Sequence, residues 1–215
     1  MMNEQQTQTM QSLLAKYPDV APCEEDIKHT FALLKQTYDQ GGKVLLCGNG
    51  GSASDCEHIV GELMKGFMSK RPLPQSLRDR FKELFPQEGD FLTDHLQGAL
   101  PAISLVSHTS LMTAFMNDVS SEMVFAQQVL GYGKPGDSLI GLSTSGNSAN
   151  VVRAMQVAKA LGMNTIGMTG QGGGKLAQLC DVTIRVPEPI TPDIQERHLP
   201  IYHALCILLE KEYFG

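Results

Sequence analysis

Two stretches of this chain make the same transition. The apolar run Val44-Leu45-Leu46-Cys47 passes into Gly48-Asn49-Gly50-Gly51-Ser52-Ala53-Ser54, and the run Ser138-Leu139-Ile140-Gly141-Leu142 passes into Ser143-Thr144-Ser145-Gly146-Asn147-Ser148. A helix-like stretch follows each loop. A strand that turns through small residues into a helix leaves bare N–H groups and hydroxyls at the positive end of a helix dipole, where a phosphate sits well. Two such loops predict a phosphorylated small-molecule ligand, with one loop for its phosphate and one for the rest.

The same alternation organises most of the chain. Strand-like runs fall at 43–47, 101–106, 138–142, 163–168 and 181–186, with helix-like runs at 52–66, 108–117, 121–131, 148–161, 173–179 and 194–212. Short apolar strands alternating with helices predict an α/β fold: a doubly wound parallel sheet in three layers, flanked by helices and flavodoxin-like. Ligands of such sheets bind at the carboxyl ends of the strands, where both small-residue loops fall. The N-terminal segment, about 1–40, reads as helix, from about Met10 to Tyr17 and from Glu24 to Tyr38, with Pro18 and Pro22 between and Gly41-Gly42 as the stop. Residues 69 to about 100 break the rhythm with Pro72, Pro74, Pro86 and two short amphipathic pieces, which predicts an inserted helical pair or a lid. The 215 residues make one well-filled domain.

Composition excludes several classes. The net charge of -6 disfavours a nucleic-acid surface. Lys65, Lys70, Arg71, Arg78, Arg80 and Lys82 are the nearest thing to a basic patch, but Asp79 and Glu83 dilute them, and a solvated helix face is the expectation there. The five cysteines form no C-x-x-C pair, so neither a disulfide framework nor a thiolate zinc site is indicated. Met1–Gln11 is polar, without the apolar segment of a secretory signal, and no apolar stretch approaches membrane-spanning length. A cytoplasmic, reducing location without membrane association is the expectation.

The loops fit other ligands poorly. Gly48-Asn49-Gly50-Gly51-Ser52-Ala53 satisfies the loose dinucleotide pattern, but the region about 20 residues on is not a strand ending in an acidic residue. Gly174-Lys175 is followed by Leu176, not by the Ser or Thr of a phosphate-binding P-loop. A plain turn needs Gly or Asn, not the hydroxyls of Ser143, Thr144, Ser145 and Ser148 together.

Four residues could carry chemistry. His58 and Glu62 lie four apart on the helix that leaves the first loop, so they share a face, as an exposed polar stripe also would. Gln195 and His203 lie eight apart on the last helix, where a satisfied core histidine is an alternative reading of His203. Pro200 removes one helical bond, to Glu196, and is a place for that helix to bend. Together the four have the types of a two-His, one-carboxylate, one-amide metal site, though spacing alone does not bring the two helices together.

The chain resembles the sugar isomerase (SIS) domain proteins, and within them the phosphoheptose isomerases. The matching strings are Gly48-Asn49-Gly50-Gly51-Ser52 with Ser54-Asp55, His58, Glu62-Leu63, Asn117-Asp118, Ser143 through Val151, Thr169-Gly170 with Gly173-Gly174, and Ile194-Gln195-Glu196 with His198 and His203. They cover most of residues 24–213 in order. The resemblance implies an isomerase converting sedoheptulose 7-phosphate to D-glycero-D-manno-heptose 7-phosphate through an enediol. It implies Glu62 as base and His203 as its acid/base partner, and a phosphate held by Ser143, Thr144, Ser145 and Ser148. It further implies sugar contacts from Asn49, Gly50, Gly51, Ser52, Asp118 and Gln195. Zinc (Zn2+) on His58, Glu62, Gln195 and His203, and a homotetramer with sites between subunits, follow from the same resemblance. The family's Arg just after the Glu-Leu pair is absent near Gly66, leaving Lys65, Lys70 and Arg71 as candidates to replace it. An isomerase of another sugar phosphate, a non-catalytic tetrameric adaptor of the DnaA initiator-associating type, and, last, an NAD-dependent dehydrogenase are the competing readings.

Overall fold

The computed structural model describes residues 2–215. Five strands, β1 (Val44–Gly48), β2 (Ala102–Ser104), β3 (Ser138–Leu142), β4 (Asn164–Thr169) and β5 (Val182–Arg185), form one parallel sheet in the order β2-β1-β3-β4-β5. Alternate residues of the strands feed two cores. Val44, Leu46, Ile140, Leu142, Ile166 and Ile184 belong to one, built with α1 (Glu4–Lys16), α2 (Glu24–Asp39), α3 (Gly51–Met64) and the closing helix. Leu45, Cys47 and Leu139 belong to the other. The remaining elements are the inserted pair α4 (Gln75–Leu84) and α5 (Gly89–His95), then α6 (Thr109–Asp118), α7 (Val124–Tyr132), α8 (Ala149–Ala160), α9 (Leu176–Leu179) and α10 (Thr191–Phe214). Residues of α7 and α8 complete the second core. Burial on both faces explains why the strands read as continuous apolar runs.

The strand order reverses between β1 and β3, which makes their carboxyl ends the switch point of the sheet. Both small-residue loops emerge there, each running straight into a helix, α3 or α8.

Helix α10 runs from Thr191 to Phe214 with Pro200 inside it, buried against the core. One expectation changes. Arg71 is not part of a solvated face. Its side chain is fully buried at a backbone φ of 45°, donating to the Glu210 carboxylate (2.7 Å) and to the Leu63 (2.7 Å) and Glu62 (2.9 Å) carbonyls, with Phe214 under its guanidinium. Glu210 also accepts the Phe67 and Met68 N–H groups, both at 2.8 Å. Burial pushes the Glu210 carboxyl up, but these bonds outweigh it and hold the group below its ordinary range. The knot clamps the end of α3 to α10. Beyond it α4 and α5 form a hairpin held by Arg78–Asp94 and Lys82–Asp90 pairs, each at 2.6 Å, and α4 buries none of its residues.

Candidate active site

The site assembles from the loops upward. In the second loop, Ser143 and Ser148 share a hydroxyl–hydroxyl bond of 2.8 Å, and the Asn147 N–H donates to the Ser145 hydroxyl at 3.2 Å. The loop is fixed to the end of β4: Ser143 N–H donates to the Met168 carbonyl and Gly170 N–H to the Thr144 carbonyl. Gly146 sits at φ 66°, and a Cβ there would lie 2.0 Å from the Gly173 carbonyl oxygen. From the other side, a Cβ at Gly174 would lie 2.4 Å from the Ser145 carbonyl oxygen, so Gly146 and Gly174 are both held to bare backbone by this approach. Thr144, Ser145, Gly170 and Gly172 line a cleft of about 260 Å³ beside the loop. The N-cap residues Gly50 and Ser148 make no side-chain cap; Val151 N–H donates instead to the Asn150 side-chain oxygen at 3.0 Å, and Ser52 and Ala53 N–H donate to the Asn49 and Gly50 carbonyls.

The first loop joins the second through a reciprocal amide pair. Asn49 and Asn150 each donate a side-chain N–H to the other's carbonyl oxygen, at 2.9 Å both ways, across the switch point. The start of α10 packs on both loops. The Gln195 amide lies over Gly51, where a Cβ would stand 2.6 Å from its Nε2, and Ile194 lies against Gly170. His198, fully buried one turn later, approaches the Thr169 carbonyl through Nε2 at 3.3 Å, while its Nδ1 has no partner among the described residues.

Further along, α10 meets α3. His203 Nε2 lies 3.5 Å from His58 Nε2, and Glu62 Oε1 lies 3.3 Å from the same His58 nitrogen. The helices therefore meet within one chain. Glu62 is largely sheltered, its side chain 12% exposed, and its other oxygen accepts from Lys65 Nζ at 3.2 Å. Of the candidates to replace the missing arginine, Lys65 touches Glu62, Arg71 is committed to Glu210, and Lys70 is exposed. Burial, then the neighbouring His58, hold His203 below the ordinary histidine range, with Glu62 opposing. His203 is thus neutral near pH 7, with one nitrogen able to give a proton and one able to take it.

One partner of His58, and the carboxylate behind it, were not singled out from the sequence. Its Nδ1 lies 3.1 Å from the Tyr202 hydroxyl, which donates to Asp55 Oδ1, also at 3.1 Å. Tyr202 sits in an apolar helical stretch and reads as core; its position directly before His203 was the only signal. Asp118 stays outside the cluster, exposed at the end of α6, with the Asn117 amide on its carboxylate.

No group of three or more His, Cys, Asp or Glu among the described residues forms a recognisable metal cage. Two pairs, His58 with Glu62 and His58 with His203, nevertheless have the separation of neighbouring zinc ligands. Ligands at about 2.0–2.1 Å in a tetrahedron stand about 3.3–3.4 Å apart, close to the 3.3 and 3.5 Å found here. Gln195 is set by its contact with Gly51 rather than by any hydrogen bond to these three.

The chain matches the SIS domain over residues 10–78 and 82–170. The chain belongs to the SIS domain family. Among SIS domain relatives, a phosphoheptose isomerase of Rhodospirillum rubrum is 39% identical over 203 residues, covering 94% of this chain and 93% of the relative. The phosphoheptose isomerase structure from Francisella tularensis superposes with a TM-score of 0.75 at 30% identity, covering 94% of this chain and 93% of that one. That from Neisseria gonorrhoeae gives 0.70 at 32% identity, covering 96% and 92%. This SIS domain is therefore similar to phosphoheptose isomerases over nearly its whole length, in sequence and in fold.

Proposed function

We propose that the chain is a phosphosugar aldose–ketose isomerase that interconverts sedoheptulose 7-phosphate and D-glycero-D-manno-heptose 7-phosphate. The observation that carries the chemistry is the meeting of a sheltered carboxylate and a neutral imidazole, Glu62 and His203, around His58. The phosphate takes the Ser143–Ser148 loop, with Ser143, Thr144, Ser145 and Ser148 offering hydroxyls. Asn49, Gly50, Gly51, Ser52 and Gln195 line the way to the reacting carbons.

Starting from the ketose, the Glu62 carboxylate takes a proton from C1, and the electron pair forms the C1–C2 double bond of the enediol. His203 gives a proton to the oxygen on C2 and receives one from the oxygen on C1. Glu62 returns its proton to C2, and the aldose results. Lys65 donates to the second oxygen of Glu62 and so helps fix the direction in which its carboxylate faces. His58, Glu62 and His203, with Gln195 nearby, are the residues that would hold zinc, which when bound polarises the sugar's oxygens and stabilises the enediolate.

The assembly belongs to the same proposal: a homotetramer whose neighbouring subunits close the sites and bring Asp118 toward a bound sugar. No helix among the described residues is long and apolar enough to cross a membrane, and a cytoplasmic location is part of this reading.

Glu62→Gln tests the assignment because it removes the base and keeps the shape. Turnover of sedoheptulose 7-phosphate should fall by at least about 100-fold, with the unfolding midpoint unchanged. Full turnover by the variant ends the assignment of Glu62. Failure of the wild-type protein to form the aldose, with or without zinc, ends the reaction itself.

A further inference from the structure

Tyr202 and His203 are neighbours on α10, yet they do different things to the same partner. His203 faces His58 at Nε2, while Tyr202 reaches round to Nδ1 of the same ring. The tyrosine is 2% exposed, packed edge-on to both imidazoles, with ring centroids 5.5 Å from His58 and 5.0 Å from His203. A buried hydroxyl needs one partner, and Asp55 alone would satisfy it. The second contact, to His58, is what a merely structural tyrosine would not require.

The hydrogens can be counted along this chain of contacts. An ionised carboxylate only accepts, so the single hydrogen of the tyrosine goes to Asp55. The tyrosine oxygen then has only lone pairs to offer at 3.1 Å from His58 Nδ1. That nitrogen must carry the hydrogen. In a neutral imidazole the other nitrogen is then bare, and here the other nitrogen is the one facing Glu62 and His203.

We propose that Asp55 and Tyr202 form a two-link relay that locks His58 in the Nδ1–H form, so that its Nε2 lone pair points to the place shared with Glu62 and His203. Tyr202 is a positioning residue and touches no substrate atom. Asp55 and His58 lie three apart on one face of α3, so a single side chain from α10 reaches both. With the relay in place, the bare Nε2 of His58 faces Glu62 at 3.3 Å and His203 at 3.5 Å, and is free to bind a cation such as zinc. Without it, the His58 hydrogen can move to Nε2 and bond Glu62 instead, which closes that nitrogen and engages the base. The effect on turnover rests on the isomerase reading; the state of the His58 ring does not.

Tyr202→Phe is the test, since it keeps the ring and deletes only the hydroxyl. The wild-type and variant proteins are ¹⁵N-labelled and measured without substrate or metal at about pH 8, where histidine is neutral. The wild-type His58 ring nitrogens should report hydrogen on Nδ1, and the variant a mixture shifted toward Nε2. Zinc affinity, read by competition with a chelator, should fall about 10- to 100-fold. The kcat for the heptose phosphate should fall with KM unchanged. An unchanged His58 ring and unchanged zinc affinity in the variant, or hydrogen on Nε2 in the wild type, overturn the relay. Should Tyr202→Phe not fold, Asp55→Asn decides, because it removes the charge that orients the tyrosine hydrogen: a mixed ring state supports the relay, and a pure Nδ1–H state overturns it. A wild-type protein with the expected ring state and no heptose turnover would instead remove the reaction and leave the relay standing.

Discussion

Arg71 shows how far a single side chain can depart from its neighbourhood in sequence. It stands in a basic stretch, yet it is among the largest fully buried side chains of the described residues, and its partner Glu210 lies 139 positions away. Arg71→Ala would leave Glu210 as an uncompensated buried charge, a loss of about 3–5 kcal/mol. For a chain of this size the melting temperature should drop by roughly 10 °C, as calorimetry or circular dichroism would record. Arg71→Lys should recover little, because one ammonium cannot serve Glu210 and two carbonyls at once. His198 carries a different liability. Burial holds it down to about 4, with the Thr169 carbonyl opposing. The unfolded chain takes up this proton below about 6.5, so the unfolded state binds more protons between pH 6.5 and 4 than the folded one. The stability that a neutral His198 contributes is complete above pH 6.5 and is lost as pH falls through that window, on the order of 3 kcal/mol in all. His198→Gln, which does not titrate, should flatten the fall in urea midpoint over the same range.

What could be read from sequence was whatever is local. The apolar runs, the glycine and hydroxyl loops, and the helices after them are each set within about 20 residues, and the strands fell within two residues of the expected places. The inserted helices were equally visible. The site was legible as two separate halves, His58 with Glu62 and Gln195 with His203, since helical spacing fixes each pair but not the meeting of α3 and α10. Tyr202 and Asp55 were hidden because their significance is a contact across 147 positions. The Gly172-Gly173-Gly174 run looked like low complexity until the second loop was seen pressed against it. Gly146→Ala tests that contact. The added methyl would strike the Gly173 carbonyl and is strained at φ 66°. The KM for the phosphosugar should rise at least about tenfold, with Glu62 and His203 undisturbed and so a smaller change in kcat; a steady-state comparison reads both.

The molecule leaves apolar surface uncovered around α6 and α7, where Val119 is 65% and Leu130 58% exposed, and on the inserted hairpin. Leu84, Phe85, Phe91 and Leu96 of the inserted hairpin are 47–65% exposed, and Met68 at its base is 69% exposed. Side chains of this kind, clustered on a hairpin that buries little of its own surface, suit contact with further copies of the chain. Sedimentation equilibrium should give the mass of four chains; a monomer would remove the shared-site part of the proposal. Helix α10 has a consequence of its own. It touches Gly51 and Gly170 at its start, the Thr169 carbonyl at His198, and the reacting centre at His203, and it does so as one uninterrupted rod. Eight residues separate Gln195 from His203, about 12 Å along the helix. On the proposed reading the helix would act as a measuring stick: with the phosphate pinned at the loops, a sugar of matching backbone length would lay its first two carbons beside the imidazole, and a shorter one would stop short of it.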